Sequence, residues 1–397
     1  MINNFFFCLI IFILLFEVIL IIVIKNFKKD FKWLVEEKDE KPKFDKIKLQ
    51  KFYNKNFHKD YGWDRKPLSS GIEYSNKISK FKISKDGYRG NLKFQKDSIS
   101  VFGDSFAFCR YVDDHMTWEH ILEKNINRPV LNYGVGNFGL DQSFLKYRQL
   151  RNNITSEIII FNFVPETIAR INSYWKHYRE FGNIHGFKPL LEIKNNKLKI
   201  LNSLIKKDFS ESQIYNKLGK IKKKDIFFHL KFNKLSFKYP YTFIFLKNFN
   251  FYSKILKNIF LYKFKKNKKY LNKSIKVILT QNILESHQMY QKKEFYKKLE
   301  DLILFINNDL KNDKRKMVII ISPQLLDLTT GNFENYQKFF KKLSRKVNCL
   351  DLTRVINNYG DYKKLYFDDI YGGHLNKLGN KYISGVIFKY LKNKKII

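Results

Sequence analysis

The sequence predicts an α/β fold: a doubly wound parallel sheet, preceded by one transmembrane helix and interrupted by a central insertion. Three features carry this. From residue 98 onward, short apolar runs alternate with stretches of helical spacing. The run 157–163 is apolar but for Glu157 and Asn162, as expected of a strand buried on both faces. Residues 5–24 are apolar apart from Glu17.

Taken in order, residues 98–102 form a strand run ending at Gly103, and 117–124 carry helical spacing. A second strand over 130–133 closes on the turn-rich segment 134–139, followed by a helix over 140–152 and the strand at 157–163. Later come a helix over 295–310, a strand over 316–322, a helix over 335–345, a short strand over 349–352 and a closing helix over 377–391. Strands alternating with helices imply parallel pairing with crossovers, and ligands then bind at the carboxyl ends of the strands. Between about 176 and 275 the periodicity weakens in Lys-, Phe- and Tyr-rich sequence, read as an insertion within the domain at 98–392. Residues 25–60 read as a charged juxtamembrane stalk, and 61–97 as a lead-in.

The formal net charge of +39 suggests a nucleic-acid binder at first sight. Of the 76 basic residues, however, only 11 are Arg, and the 65 Lys are scattered along the chain. A specific binder concentrates charge on one face and favours Arg for its bidentate geometry. No specific nucleic-acid partner is expected. Three cysteines, Cys8, Cys109 and Cys349, lack any paired or metal-ligand spacing, so neither a disulfide framework nor a structural zinc is predicted. No cofactor is implied.

Twenty helical residues at about 1.5 Å each match a hydrocarbon core of about 30 Å, so residues 5–24 are predicted to span the bilayer and make lipid the first partner. No basic residue precedes the run and no small-residue cleavage site follows it, which favours an uncleaved anchor over a signal peptide. Glu17 reads as a tolerated or helix-pairing residue. Lys25, Lys28, Lys29 and Lys32 follow the span, and the positive-inside rule would place the large domain in the cytoplasm.

The sharpest chemical signal is Gly103, Asp104 and Ser105 at the end of a strand, where the chain is expected to turn toward a helix. A serine there can present its hydroxyl above the sheet edge, with helix-start N–H groups near an oxyanion. The alternative is a helix N-cap. Near the far end, His374 follows Gly372 and Gly373 on a loop after the last strand. A histidine so placed can reach the same sheet edge as base to Ser105.

These blocks resemble the SGNH/GDSL hydrolase superfamily, and more closely its bacterial membrane-anchored members. The likeness runs through Tyr61, Gly62 and Trp63, then Gly87, Tyr88 and Arg89, and the Gly103–Ser105 block. It continues through Thr117 and Trp118, the stretch 132–142, and Pro165, Glu166, Arg170 and Asn172, to His374, Gly379 and Asn380. The resemblance implies a flavodoxin-like three-layer sandwich, Ser105 as nucleophile and His374 as general base. It implies an oxyanion hole from the Ser105 N–H, an N–H near Gly136 or Asn137, and a side chain of the third block. Three positions depart from the pattern. Asn137 stands where the family has Gly. Val164, Pro165, Glu166 and Thr167 replace its Gly-x-Asn-Asp, leaving Asn162, four residues before Glu166, as the nearest amide. Tyr371 replaces the Asp three residues before the His. The orienting acid is then Asp369, with Asp368 as the alternative, or the site is a Ser–His dyad. The reading that follows is a serine ester hydrolase acting on O-acyl groups of envelope saccharides or lipids. The alternatives are an O-acyltransferase on the same fold and a non-catalytic glycan- or partner-binding protein. The habit of such enzymes places the domain outside the membrane, against the charge rule.

Overall fold

The structure, a computed structural model, describes residues 2–31, 33–74, 78–90, 97–206 and 209–397. Part of the predicted lead-in, 75–77 and 91–96, lies outside the described residues, as do 32 and 207–208. The chain divides into two compact units, each made of three segments. Met1–Leu49, Ser173–Phe187 and Asp208–Gln281 form one, and Gln50–Asn172, Lys188–Lys207 and Asn282–Ile397 form the other.

The larger unit is built on a parallel sheet of five strands: β1 (Ile99–Gly103), β2 (Val130–Asn132), β3 (Ile158–Phe163), β4 (Lys316–Ile321) and β5 (Asn348–Asp351). Each begins and ends within one residue of the run predicted for it. Their spatial order is β2–β1–β3–β4–β5. Alternate residues of a strand face opposite sides, and both sides here are apolar. Ile99, Val101, Ile158, Ile160, Val318 and Ile320 join one core with Trp118 and Leu122 of the helix Trp118–Ile126 and with Ile383, Ile387 and Leu391 of the helix Lys377–Asn393. On the opposite side Phe102 packs on Tyr133 and Tyr147, and Phe144 meets Phe305, which bring in the helices Leu140–Leu150 and Lys293–Asn312. Each fully buried aliphatic or aromatic side chain contributes roughly 1.5–3 kcal/mol. Two covered faces explain why β3 is apolar at every position but Asn162.

The order reverses direction between β1 and β3, and the crevice outside the carboxyl ends at such a reversal is where open α/β sheets bind ligands. Gly103 closes β1 at that point. A Cβ there would collide with the Asn162 carbonyl oxygen and lie 2.7 Å from the Ala107 Cβ. Only glycine lets β1 end so tightly against β3.

The smaller unit begins with α1 (Ile2–Phe27), whose stretch Phe6–Phe27 is long and apolar enough to cross a membrane. Over 25–60, where a stalk is expected, Trp33–Glu36 are buried and most of 41–60 is exposed. Leu34 and Val35 are buried, and Lys28 pairs with Glu36 at 2.7 Å and with Asp39 at 2.9 Å. A 3₁₀ turn occupies Glu37–Glu40, and Lys46–Lys55 is helical. The described part of 176–275 is largely helical, including Glu211–Lys224, α2 (Tyr241–Lys247) and α3 (Phe249–Lys265). Its packing is aromatic: Tyr178 lies 4.8 Å from Trp175 and 5.4 Å from Phe232, and Phe181 lies 6.0 Å from Trp33. Frequent lysines mask the period in the sequence, yet Ile214, Leu218 and Ile221 recur at i, i+4 and i+7 and are all buried. The hairpin Leu190–Lys194 with Lys197–Leu201 belongs to the larger unit.

Candidate active site

Ser105 follows β1 directly at the reversal of strand order. The helix expected after it does not form: residues 104–112 make a run of turns, with Cys109 at φ +56° and Tyr111 at φ +71°. The cause is competition for backbone carbonyls. Asn132 Nδ2 donates to the Ala107 carbonyl at 2.6 Å, and the Arg89 guanidinium donates to those of Phe108, Cys109 and Val112. Helical N–H groups would need the same acceptors. The turns leave Ser105 facing the sheet edge.

Asp104 fixes this turn to the chain beyond β3. Its Oδ1 accepts the Phe106 N–H at 2.8 Å, and its Oδ2 accepts the Val164 N–H at 3.0 Å and Arg170 Nη1 at 2.9 Å. Arg170 also donates to the Phe138 carbonyl and to Glu166, so one guanidinium ties the three loops together. The Val164–Thr167 stretch is thereby held to the Ser105 turn through Asp104 and Arg170. Sequence reading found Arg170 only through the resemblance. A salt bridge between residues 66 apart leaves no local signature.

A second buried acid supports the same turn. Cys109 Sγ donates to Glu119 Oε2 at 3.1 Å. Burial pushes the Glu119 carboxyl up to about 8, against the smaller opposing pull of Cys109 and Arg89. The folded protein therefore holds a proton that the unfolded chain, with its ordinary value of 4.5, releases. Stability from this group is full below pH 4.5 and falls as pH rises toward 8. By pH 7 the loss is on the order of 3 kcal/mol. Glu119→Gln is expected to melt higher than the parent at pH 8, with the gap closing by pH 5; a gap independent of pH would contradict this.

His374 Nε2 lies 2.9 Å from Ser105 Oγ, and its Nδ1 lies 2.8 Å from Asp369 Oδ2. An ionised carboxylate only accepts, so Nδ1 carries the proton and Nε2 is left to accept the Ser105 hydroxyl. Asp369 also accepts the backbone N–H groups of His374 at 2.8 Å, Tyr371 at 2.5 Å and Gly373 at 3.3 Å. Burial would raise this carboxyl, but the hydrogen bonds and charge of His374, with those N–H groups, hold it at about 2. The fold-back needs Gly372 at φ +102° and Gly373 at φ +86°, where a side chain would be strained. Gly373 is pressed against Leu325 as well. Phe106 stacks on the imidazole at 5.2 Å, and Tyr111 meets it edge-on at 5.5 Å. Asp368 is exposed and Asp369 is buried, so of the two acids the sequence proposed it is Asp369 that meets the histidine.

The hydroxyl opens on a cavity of about 270 Å³ lined by Ser105, Val135, Gly136, Asn137, Phe108, Trp63, Arg65 and Arg110, among others. Asn137 sits at φ +65°, a left-handed conformation that asparagine tolerates. Trp63 Nε1 donates to the Gly136 carbonyl at 3.1 Å and steadies that loop. The backbone N–H groups of Ser105, Gly136 and Asn137 have no acceptor among the described residues. Asn162 differs from these three. It is fully buried in β3, does not line the cavity, and its Oδ1 accepts the Ser322 hydroxyl at 2.7 Å. Its Nδ2 is buried with no hydrogen-bond partner among the described residues, so the amide keeps a free donor although it stands outside the cavity lining.

Sequence reading also missed the cavity's charged wall. Arg65 and Arg110 both approach Glu73, at 3.2 and 3.6 Å. Burial pulls the Arg65 guanidinium down to about 10, with Glu73 opposing and Arg89 and Arg110 adding to the fall. Among the described residues there is no cluster of side chains suited to a metal ion.

No family model matches the sequence, and no curated protein matches it. One solved structure to which the chain is similar, from Desulfitobacterium hafniense, is described as a lipolytic protein of the G-D-S-L family. The match covers 74% of this chain and 99% of that one, at 7% identity and a TM-score of 0.34. At that distance the likeness says nothing of the site.

Proposed function

We propose that the chain is a membrane-anchored serine ester hydrolase of the SGNH/GDSL kind, acting on O-acyl groups of envelope saccharides or lipids. The observation that carries it is the hydrogen-bonded series Ser105–His374–Asp369 opening on a cavity where the backbone N–H groups of Ser105, Gly136 and Asn137 have no acceptor among the described residues. In this reading His374 takes the Ser105 proton as Oγ attacks the ester carbonyl. Asp369 holds the ring and faces the imidazolium that forms. The N–H groups of Ser105 and of Gly136 or Asn137 receive the oxyanion, each donor contributing on the order of 3 kcal/mol. His374 returns the proton to the leaving alcohol, and water resolves the acyl-enzyme.

The full chain in detergent is expected to be labelled by a fluorophosphonate and to cleave p-nitrophenyl acetate. Ser105→Ala should abolish both. Undiminished turnover in Ser105→Ala would remove the proposal and favour a binding protein.

Residues 5–24 serve as the anchor in this reading, and the catalytic part lies on the extracytoplasmic side. Alkaline phosphatase fused at the C-terminus should then be active and a fluorescent protein fused there dark; the reverse pattern would place the domain inside.

A further inference from the structure

α1 is not uniformly exposed. From Phe6 to Leu15 every described apolar side chain is open, between 40% for Ile11 and 65% for Phe7 and Phe12. Beyond that the helix is two-sided. Glu17, Leu20 and Ile24 are buried at 6%, 1% and 1%, whereas Val18, Ile19 and Ile22 remain 52–53% exposed. The buried side faces α2 and α3. Glu17 accepts the N–H groups of Tyr241 and Thr242 at 2.6 and 2.7 Å and the Thr242 hydroxyl at 2.6 Å. Three donors at the first turn of α2 satisfy a carboxylate that would otherwise be costly in lipid. Phe16 meets Phe245 at 5.2 Å, and Phe31, just past α1, meets Tyr262 of α3 at 5.7 Å. So α2 and α3 accompany α1 from its middle to beyond its end.

The outward sides of α2 and α3 are apolar too. Tyr239, Phe243, Leu246, Phe249, Phe260 and Phe264 are 53–78% exposed. That is a run of large exposed apolar side chains beside the exposed rings of α1, and such patches mark an interaction surface. Its charge is one-sided. Between Asp225 and Glu285 the chain has thirteen lysines, no arginine and no acidic residue.

We infer that α2 and α3 are a lipid-contacting surface continuous with α1, seated in the near leaflet of a bilayer with anionic headgroups. This rests on reading α1 as a membrane segment. The ten steps from Glu17 to Phe27 rise about 15 Å, half a hydrocarbon core, so a surface held at the level of Glu17 lies at acyl-chain depth. The exposed residues 6–15 then cross the far leaflet alone. Phe260 and Phe264 lie beside Tyr262, near the level at which α1 ends, among Lys257, Lys263, Lys265 and Lys266. Aromatic rings with lysines reaching past them are what the headgroup boundary favours.

The test is single-cysteine labelling of the full chain in vesicles of phosphatidylcholine and phosphatidylglycerol, in a Cys8→Ser background. Cys109 and Cys349 are buried and silent. A charged, impermeant maleimide should label Leu68→Cys, in the other unit and 80% exposed, readily. Phe243→Cys and Leu246→Cys should react at least about tenfold more slowly, as should Phe12→Cys within α1. If Phe12→Cys is protected while both of the others label as fast as Leu68→Cys, the surface is aqueous and the inference falls with the anchor intact. If Phe12→Cys also labels freely, the anchor reading fails and takes the surface with it.

Discussion

His374→Gln is expected to lower kcat/KM for p-nitrophenyl acetate by about 10⁴-fold or more, with folding intact. The histidine is the only side chain among the described residues within hydrogen-bonding distance of Ser105 Oγ, at 2.9 Å. Without it no group takes the proton at neutral pH. The loss should not add to that of Ser105→Ala, because residues that act as a unit fail together. The double variant is therefore expected to match Ser105→Ala alone, read as turnover over background. A second full-sized drop in the double variant would mean that His374 acts apart from the serine.

The second large effect concerns Asp369. The loop that carries it is pinned. Three backbone N–H groups and the imidazole converge on one carboxylate. Asp369→Asn cannot hold the ring in the tautomer that leaves Nε2 free, and kcat should fall by about 10³–10⁴-fold, or roughly 4–5 kcal/mol. Asp368→Asn, on an exposed residue, and Tyr371→Phe should stay within about threefold of the parent. The same contacts make a stability statement. A carboxyl lowered from 3.8 to about 2 contributes stability that is present above pH 3.8 and lost as pH falls through 2. Acid titration of the folded protein should show Asp369→Asn losing less stability than the parent across that window. Equal kcat in Asp369→Asn and the parent would leave a Ser–His dyad as the mechanism.

How much of this was legible depended on whether the cause was local. The strands were readable because burial on both faces imposes a run such as Ile158–Phe163, and Gly103 marked the end of β1 by its own constraint. Ser105 and His374 stood out because each sits where a strand end or a glycine pair presents a side chain. Asp369 was readable only as one of two candidates, since the left-handed Gly372 and Gly373 that choose between them act through the fold-back. The turns after Ser105 were misread as helix because the groups that remove their carbonyls, Asn132 and Arg89, are remote in sequence. Asp104–Arg170 and the Arg65–Glu73–Arg110 wall were invisible for the same reason. The burial of Trp33–Glu36 leaves no period in so short a stretch, and the Lys28–Glu36 ion pair beside it joins residues eight apart.

The pairing of β3 with β4 has a kinetic side. Ile158 lies in register with Lys316, so this step closes a loop of about 150 residues, whereas β1, β2 and β3 come from one short stretch. Loop-closure entropy grows only as the logarithm of length, so the native state bears it easily, but the search is slow. During refolding the three-stranded half can form first and wait with the Ile158–Phe163 edge uncovered. An unpaired strand of that composition is a template for another copy of itself. Refolding yield should therefore be limited by self-association at high protein concentration more than by the final stability of the sheet.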